Sequence, residues 1–130
     1  MQTSSFLKVT QPSILVVFGV TGDLSQRKLL PALWDLYVKG ALPEKFHIVG
    51  FSRRDWNDEE FQEYVKNVIA QAKGKVDKAL LSEFLRTLSY QEGLFDESSQ
   101  YTELQKHITQ IDVNFSQCSN KLFYRCLKSR

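Results

Sequence analysis

The sequence predicts an α/β domain: a parallel sheet with helices on both faces. Three observations carry this. The run Ser13-Ile-Leu-Val-Val-Phe18 is continuously apolar and rich in β-branched residues, which suits a strand buried on both faces. Beyond Gly19–Asp23 the apolar period becomes helical, with Leu24, Leu29, Leu30, Leu33, Leu36 and Tyr37 recurring near helical spacing. Short strand-like and longer helix-like segments then alternate as β-α-β-α-α-β-α-β, the order that right-handed crossovers produce. About four strands are expected, so the sheet is read as incomplete.

Each element has its own local reason. Residues 1–12 form a polar lead-in ending at Pro12, and residues 13–130 form the domain. Pro31 falls inside the first helical pattern, which predicts a kink or a delayed start. Gly40 is the expected stop. Phe46–Phe51 reads as the second strand. Asn57 or Asp58 caps the next helix, with acids in its first turn and Phe61, Val65, Val68, Ile69 and Ala72 as its apolar stripe. Gly74 ends it. Residues 77–86 read as a further helix, Leu88–Tyr90 as a weak strand, and Glu97–Ile111 as a helix with Tyr101, Leu104, Ile108 and Ile111 on one side. Lys121–Tyr124 begins the last strand.

Composition narrows the function classes. The chain has 130 residues, 42% of them hydrophobic and 25% charged, enough for one domain with a core of its own. Its longest apolar run, Ile14–Phe18, is far short of the ~20 residues that cross a membrane. Net charge is +2 with both signs interspersed, so no nucleic-acid arm is read. The N-terminus has no apolar signal region, and Cys118 and Cys126 are too sparse for a disulfide framework. Reduced thiols in the cytoplasm are expected, with no metal site.

The segment Phe18-Gly19-Val20-Thr21-Gly22-Asp23-Leu24 carries the chemistry. Glycines after a buried strand permit a tight turn and close backbone approach. The helix that follows offers unpaired N–H groups and a positive dipole end to a phosphate. This is the Rossmann-like dinucleotide-binding arrangement, although the spacing is G-x-x-G-D rather than G-x-G-x-x-G. The plainer alternative is a tight βα turn with Asp23 as helix cap. The second strand ends Ser52-Arg53-Arg54-Asp55, where an NAD site would place an acid and an NADP site an arginine. Planar guanidinium forks suit a 2′-phosphate, with Arg53 as first choice and Arg54 as helper. Asp55 is the competing acidic candidate, and a solvated basic surface is the plainer reading of the pair.

These residues resemble a family. GVTGDLSQRKLLPALWDLYVKGALPEKFHIVGFSRRD is similar to the N-terminal coenzyme domain of glucose-6-phosphate dehydrogenases, and the similarity runs on through Ser89-Tyr90, SQYTEL and Asn120–Tyr124. The resemblance implies that Gly19, Val20, Thr21, Gly22, Asp23 and Leu24 hold the NADP phosphates, with Thr21 as a side-chain contact and Arg53 on the 2′-phosphate. It implies that Lys28 reaches toward glucose 6-phosphate; without it Lys28 reads as a solvated helix lysine. It also implies an oxidoreductase of the pentose phosphate pathway.

The sequence departs from the family after Tyr124, where it reads Arg125-Cys-Leu-Lys-Ser-Arg130. Arg125 is out of place in a strand buried on both faces. The family's catalytic histidine block and substrate domain are not matched, and His47 and His107 are read as structural. No catalytic residue is therefore assigned, and the chain alone is expected to be inactive. The alternatives are a non-catalytic nucleotide-binding module, a fragment whose sheet a partner chain or a second copy completes, and a small reductase using Tyr124 and Lys128. The last would need that pair on a helix rather than in a strand.

Overall fold

The computed structural model describes residues 11–23, 25–93, 98–116 and 118–125. The lead-in up to residue 10, Leu24, Glu97, Cys126 and Lys128 therefore lie outside the described residues. Four parallel strands, β1 (Ser13–Phe18), β2 (Phe46–Ser52), β3 (Leu88–Glu92) and β4 (Asn120–Arg125), form one sheet in the order β3-β2-β1-β4. The helices are α1 (Leu30–Val38), α2 (Asp58–Lys73), α3 (Lys78–Leu85) and α4 (Ser98–Phe115).

Both faces of the sheet are covered, as the continuous apolar strands require. Val17 and Ile48 point into a core shared with Leu30, Leu33 and Trp34 of α1, Phe61, Val65 and Ile69 of α2, and Phe84 of α3. Their neighbours Ile14, Val16, Phe18, Val49 and Phe51 face Leu104, Ile108 and Ile111 of α4. The period-2 geometry of a strand thus divides one apolar run between two cores.

Helix ends follow local chemistry. Asn57 caps α2 and completes a capping box with Glu60: Oδ1 accepts the Glu60 N–H at 2.8 Å, and Glu60 Oε1 accepts the Asn57 N–H at 2.9 Å. Asp77 caps α3 through the N–H groups of Ala79 and Leu80. The α2 stripe is buried except for Ala72, in the last turn, which is exposed. Pro31 has the predicted effect. A π-helical turn, Ser25–Leu29, runs directly into α1, and the proline sits in the first turn of α1, where the ladder changes from π to α. Gly40, at φ 71°, ends the helix.

One expectation is corrected. β4 lies beside β1, and Arg125 pairs in register with Phe18, but β4 is not buried on both faces. It is one of the two edge strands among the described residues, with β3 at the other side. Its adjacent residues Leu122 and Phe123 project to opposite faces and are 51% and 56% exposed.

Candidate functional site

The strand–turn–helix is built as the glycines suggested. Gly19 leaves β1 at φ 72°, a conformation that only glycine adopts at no steric cost. Its N–H donates to the Phe51 carbonyl at 2.8 Å, so the turn is fastened to the end of β2. The Gly22 N–H donates back to the Gly19 carbonyl at 2.9 Å. A Cβ on Gly22 would stand 3.1 Å from that carbonyl oxygen, so the turn closes tightly only around a bare backbone. Val20 is fully buried and anchors the turn to the core.

Thr21 is half-buried and makes no hydrogen bond to a described residue. The Ser25 hydroxyl is fully buried and has no partner among the described residues. A tight loop with an open N–H and an orphaned hydroxyl beside it has the donor set that a phosphate takes up. Asp23 does not cap: its carboxylate meets Arg27 Nε at 3.1 Å, one turn along and in the open. Lys28 is exposed in the π-helical turn.

The end of β2 is held by a small closed network. The Ser52 and Tyr90 hydroxyls share a hydrogen bond, Tyr90 donates to the Arg54 carbonyl at 2.7 Å, and the Arg54 N–H donates to Ser52 Oγ at 3.3 Å. If Ser52 donates to Tyr90, every group in the ring is used once. Burial pushes the Tyr90 phenol up, so it stays protonated and able to donate. Trp56 packs on Tyr90 and Tyr64.

The network fixes the backbone on either side of Arg53, which is exposed. No ion pair or hydrogen bond to a described residue engages its guanidinium. Arg54 instead stacks over Trp56, with Cζ 5.5 Å from the ring centroid. Asp55 is exposed as well. The β1–β2 register, Phe18 opposite Phe51, brings the glycine turn and Arg53 to the same edge of the sheet. Ser52, Tyr90 and Gly50 were not singled out from the sequence.

Residues 16–130 match the family described as the NAD-binding domain of glucose-6-phosphate dehydrogenase. The chain belongs to this family. The glucose-6-phosphate 1-dehydrogenase of Chlamydia pneumoniae is 39% identical over 114 residues, 87% of this chain and 22% of its own length. A solved glucose-6-phosphate dehydrogenase in complex with its substrate glucose 6-phosphate superposes with a TM-score of 0.82 at 32% identity, covering 98% of this chain and 26% of that one. The enzyme from Mycobacterium avium gives 0.75 at 25% identity, covering 90% and 24%. The chain thus spans about a quarter of the length of the relatives it matches.

Elsewhere in the domain the two histidines serve the packing of α4. Ser89 Oγ lies 2.7 Å from His47 Nε2 and 2.7 Å from His107 Nε2, and His107 Nδ1 lies 3.1 Å from Gln91 Oε1. One proton arrangement satisfies the whole chain. His107 donates from Nδ1 to Gln91, Ser89 donates to His107 Nε2, and His47 donates from Nε2 to Ser89. The His107 ring must then be neutral, because its Nε2 accepts. Burial, then His107, hold His47 down at about 4 against an opposing pull from Asp58; burial also lowers His107. The relay joins β2, β3 and α4 and gives neither imidazole an acid partner that would orient it as a base. Among the described residues no group of three or more His, Cys, Asp or Glu is placed to hold a metal. No helix among them is long and apolar enough to cross a membrane.

Proposed function

We propose that residues 13–130 form an NADP-binding domain. The glycine turn, with Gly19, Val20, Thr21, Gly22, Asp23 and Leu24, receives the diphosphate, and Arg53 binds the 2′-phosphate with Arg54 beside it. The observation that carries this is the unengaged Arg53 guanidinium at the sheet edge that holds the open turn. Thr21 and the orphaned Ser25 hydroxyl supply further donors. The nicotinamide ring, when bound, accepts hydride; the protein positions it.

Arg53→Ala is the test. Loss of a charged hydrogen-bonding partner costs about 1.5–3 kcal/mol, a roughly ten- to 150-fold weaker NADP affinity. NAD affinity should stay the same. Equal losses for both, measured by calorimetry, would remove Arg53 from the 2′-phosphate.

The relatives act on glucose 6-phosphate, and within such an enzyme this domain serves its oxidation to the 6-phosphogluconolactone in the cytoplasm, with Lys28 turned to the substrate phosphate. The described histidines are consumed by the relay, so the 130-residue polypeptide by itself binds NADP without turning over. Formation of NADPH from glucose 6-phosphate by the purified chain would refute this. The outer backbone edge of β4, unpaired among the described residues, favours a further strand laid against it, from a partner chain or a second copy.

A further inference from the structure

A second site lies away from the nucleotide turn. α2 starts beyond the C-terminal end of β2 and ends, with α3, before the N-terminal end of β3, so the α2–α3 junction is at the opposite pole of the sheet. A groove of about 610 Å³ opens there. Leu81, Leu85 and Val76 supply its apolar surface, and Lys66, Lys75 and Lys78 the charge. Ser82 adds a hydroxyl, and no acid lines it.

The three ammonium groups have no ion-pair partner among the described residues. Lys73, Lys106 and Lys121 do, with Asp35, Glu103 and Asp112. Gly74, at φ 74°, has nothing within 4 Å of where a Cβ would be, so the mouth of the groove is open. Three exposed like charges beside an apolar floor suit an anion whose body is apolar. A bare phosphate would leave the floor wet, and a neutral lipid would leave the charges unpaired.

We propose that this groove binds a small amphipathic anion, a carboxylate or phosphate head on an aliphatic chain. The head lies among Lys66, Lys75 and Lys78, and the chain lies on Leu81, Leu85 and Val76.

Titration of the full chain with octanoate, followed by amide NMR, tests this. Saturable shifts are expected at Gly74, Val76 and Ser82, with 1-octanol and acetate each at least tenfold weaker. The double variant Lys66→Glu/Lys78→Glu should weaken octanoate at least tenfold with an unchanged circular dichroism spectrum. If it does not fold, Lys66→Gln/Lys78→Gln should show a smaller loss in the same direction. Equal binding of 1-octanol or of acetate would overturn the proposal. So would shifts confined to Leu122 and Phe123, or charge variants that bind octanoate as the parent does.

Discussion

Phe61→Ala is expected to destabilise the domain by about 3–5 kcal/mol, the range for deleting a buried phenyl ring. Phe61 is fully buried where α2 meets the sheet. Its ring lies against Gly50: a Cβ on Gly50 would come within 2.5 Å of Phe61 Cζ, 2.8 Å of Cε1 and 3.0 Å of Val20 Cγ1. Gly50→Ala alone should therefore cost about 1–3 kcal/mol by overpacking. It should also weaken NADP, because the displaced Val20 belongs to the turn. In the double variant the added methyl enters the space the ring has left, so the two costs should sum to less than their separate values. Urea unfolding of the four proteins checks this. Strict additivity would mean that Gly50 and Phe61 are not in contact.

The second large effect is on pH. His47 titrates in the folded domain at about 4, against an ordinary value near 6.5. A group that binds its proton more weakly when folded stabilises the fold in its neutral form. That contribution is complete above pH 6.5. It is lost as pH falls from 6.5 to about 4, because the unfolded chain takes up the proton first. The loss is roughly 3 kcal/mol for His47, and His107 acts in the same direction. Asp58, which draws both imidazoles toward protonation, moderates it. His47→Gln keeps a donor for Ser89 and should flatten the stability profile between pH 7 and 5. An NMR titration placing the folded His47 near 6.5 would sink the account.

The strands, their order of appearance and the capped helices were legible because each rests on local chemistry. Ser13–Phe18 is apolar without alternation, Asn57 is a cap, Gly40 and Gly74 are stops, and Pro31 cannot donate. The tightness of the glycine turn and the place of Arg53 just beyond β2 were legible for the same reason. The partners that hold them were not. Tyr90 reaches Ser52 and Arg54 across more than thirty residues of sequence, and nothing in the local pattern of β3 marks that hydroxyl. Gly50 reads as an ordinary strand glycine until Phe61 is seen against it. His47, Ser89 and His107 sit on three elements whose adjacency only the sheet order supplies. The exposure of β4 was misjudged because strand composition was read as burial on both faces, whereas position in the sheet decides it.

The place of β4 beside β1 also sets a clock. Ser13 pairs with Asn120, more than a hundred residues later in the chain. β2, the other neighbour of β1, is finished by Ser52. A ribosome adding about 5–20 residues per second takes roughly 3–14 s to travel from there to Asn120. Throughout that interval the β1–β2 pair can form, while the other hydrogen-bonding edge of β1 has no partner. The nascent chain therefore presents Ile14, Val16 and Phe18 without α4 or β4 to cover them. Holding that edge apart from other nascent chains is a task for whatever binds the chain as it emerges.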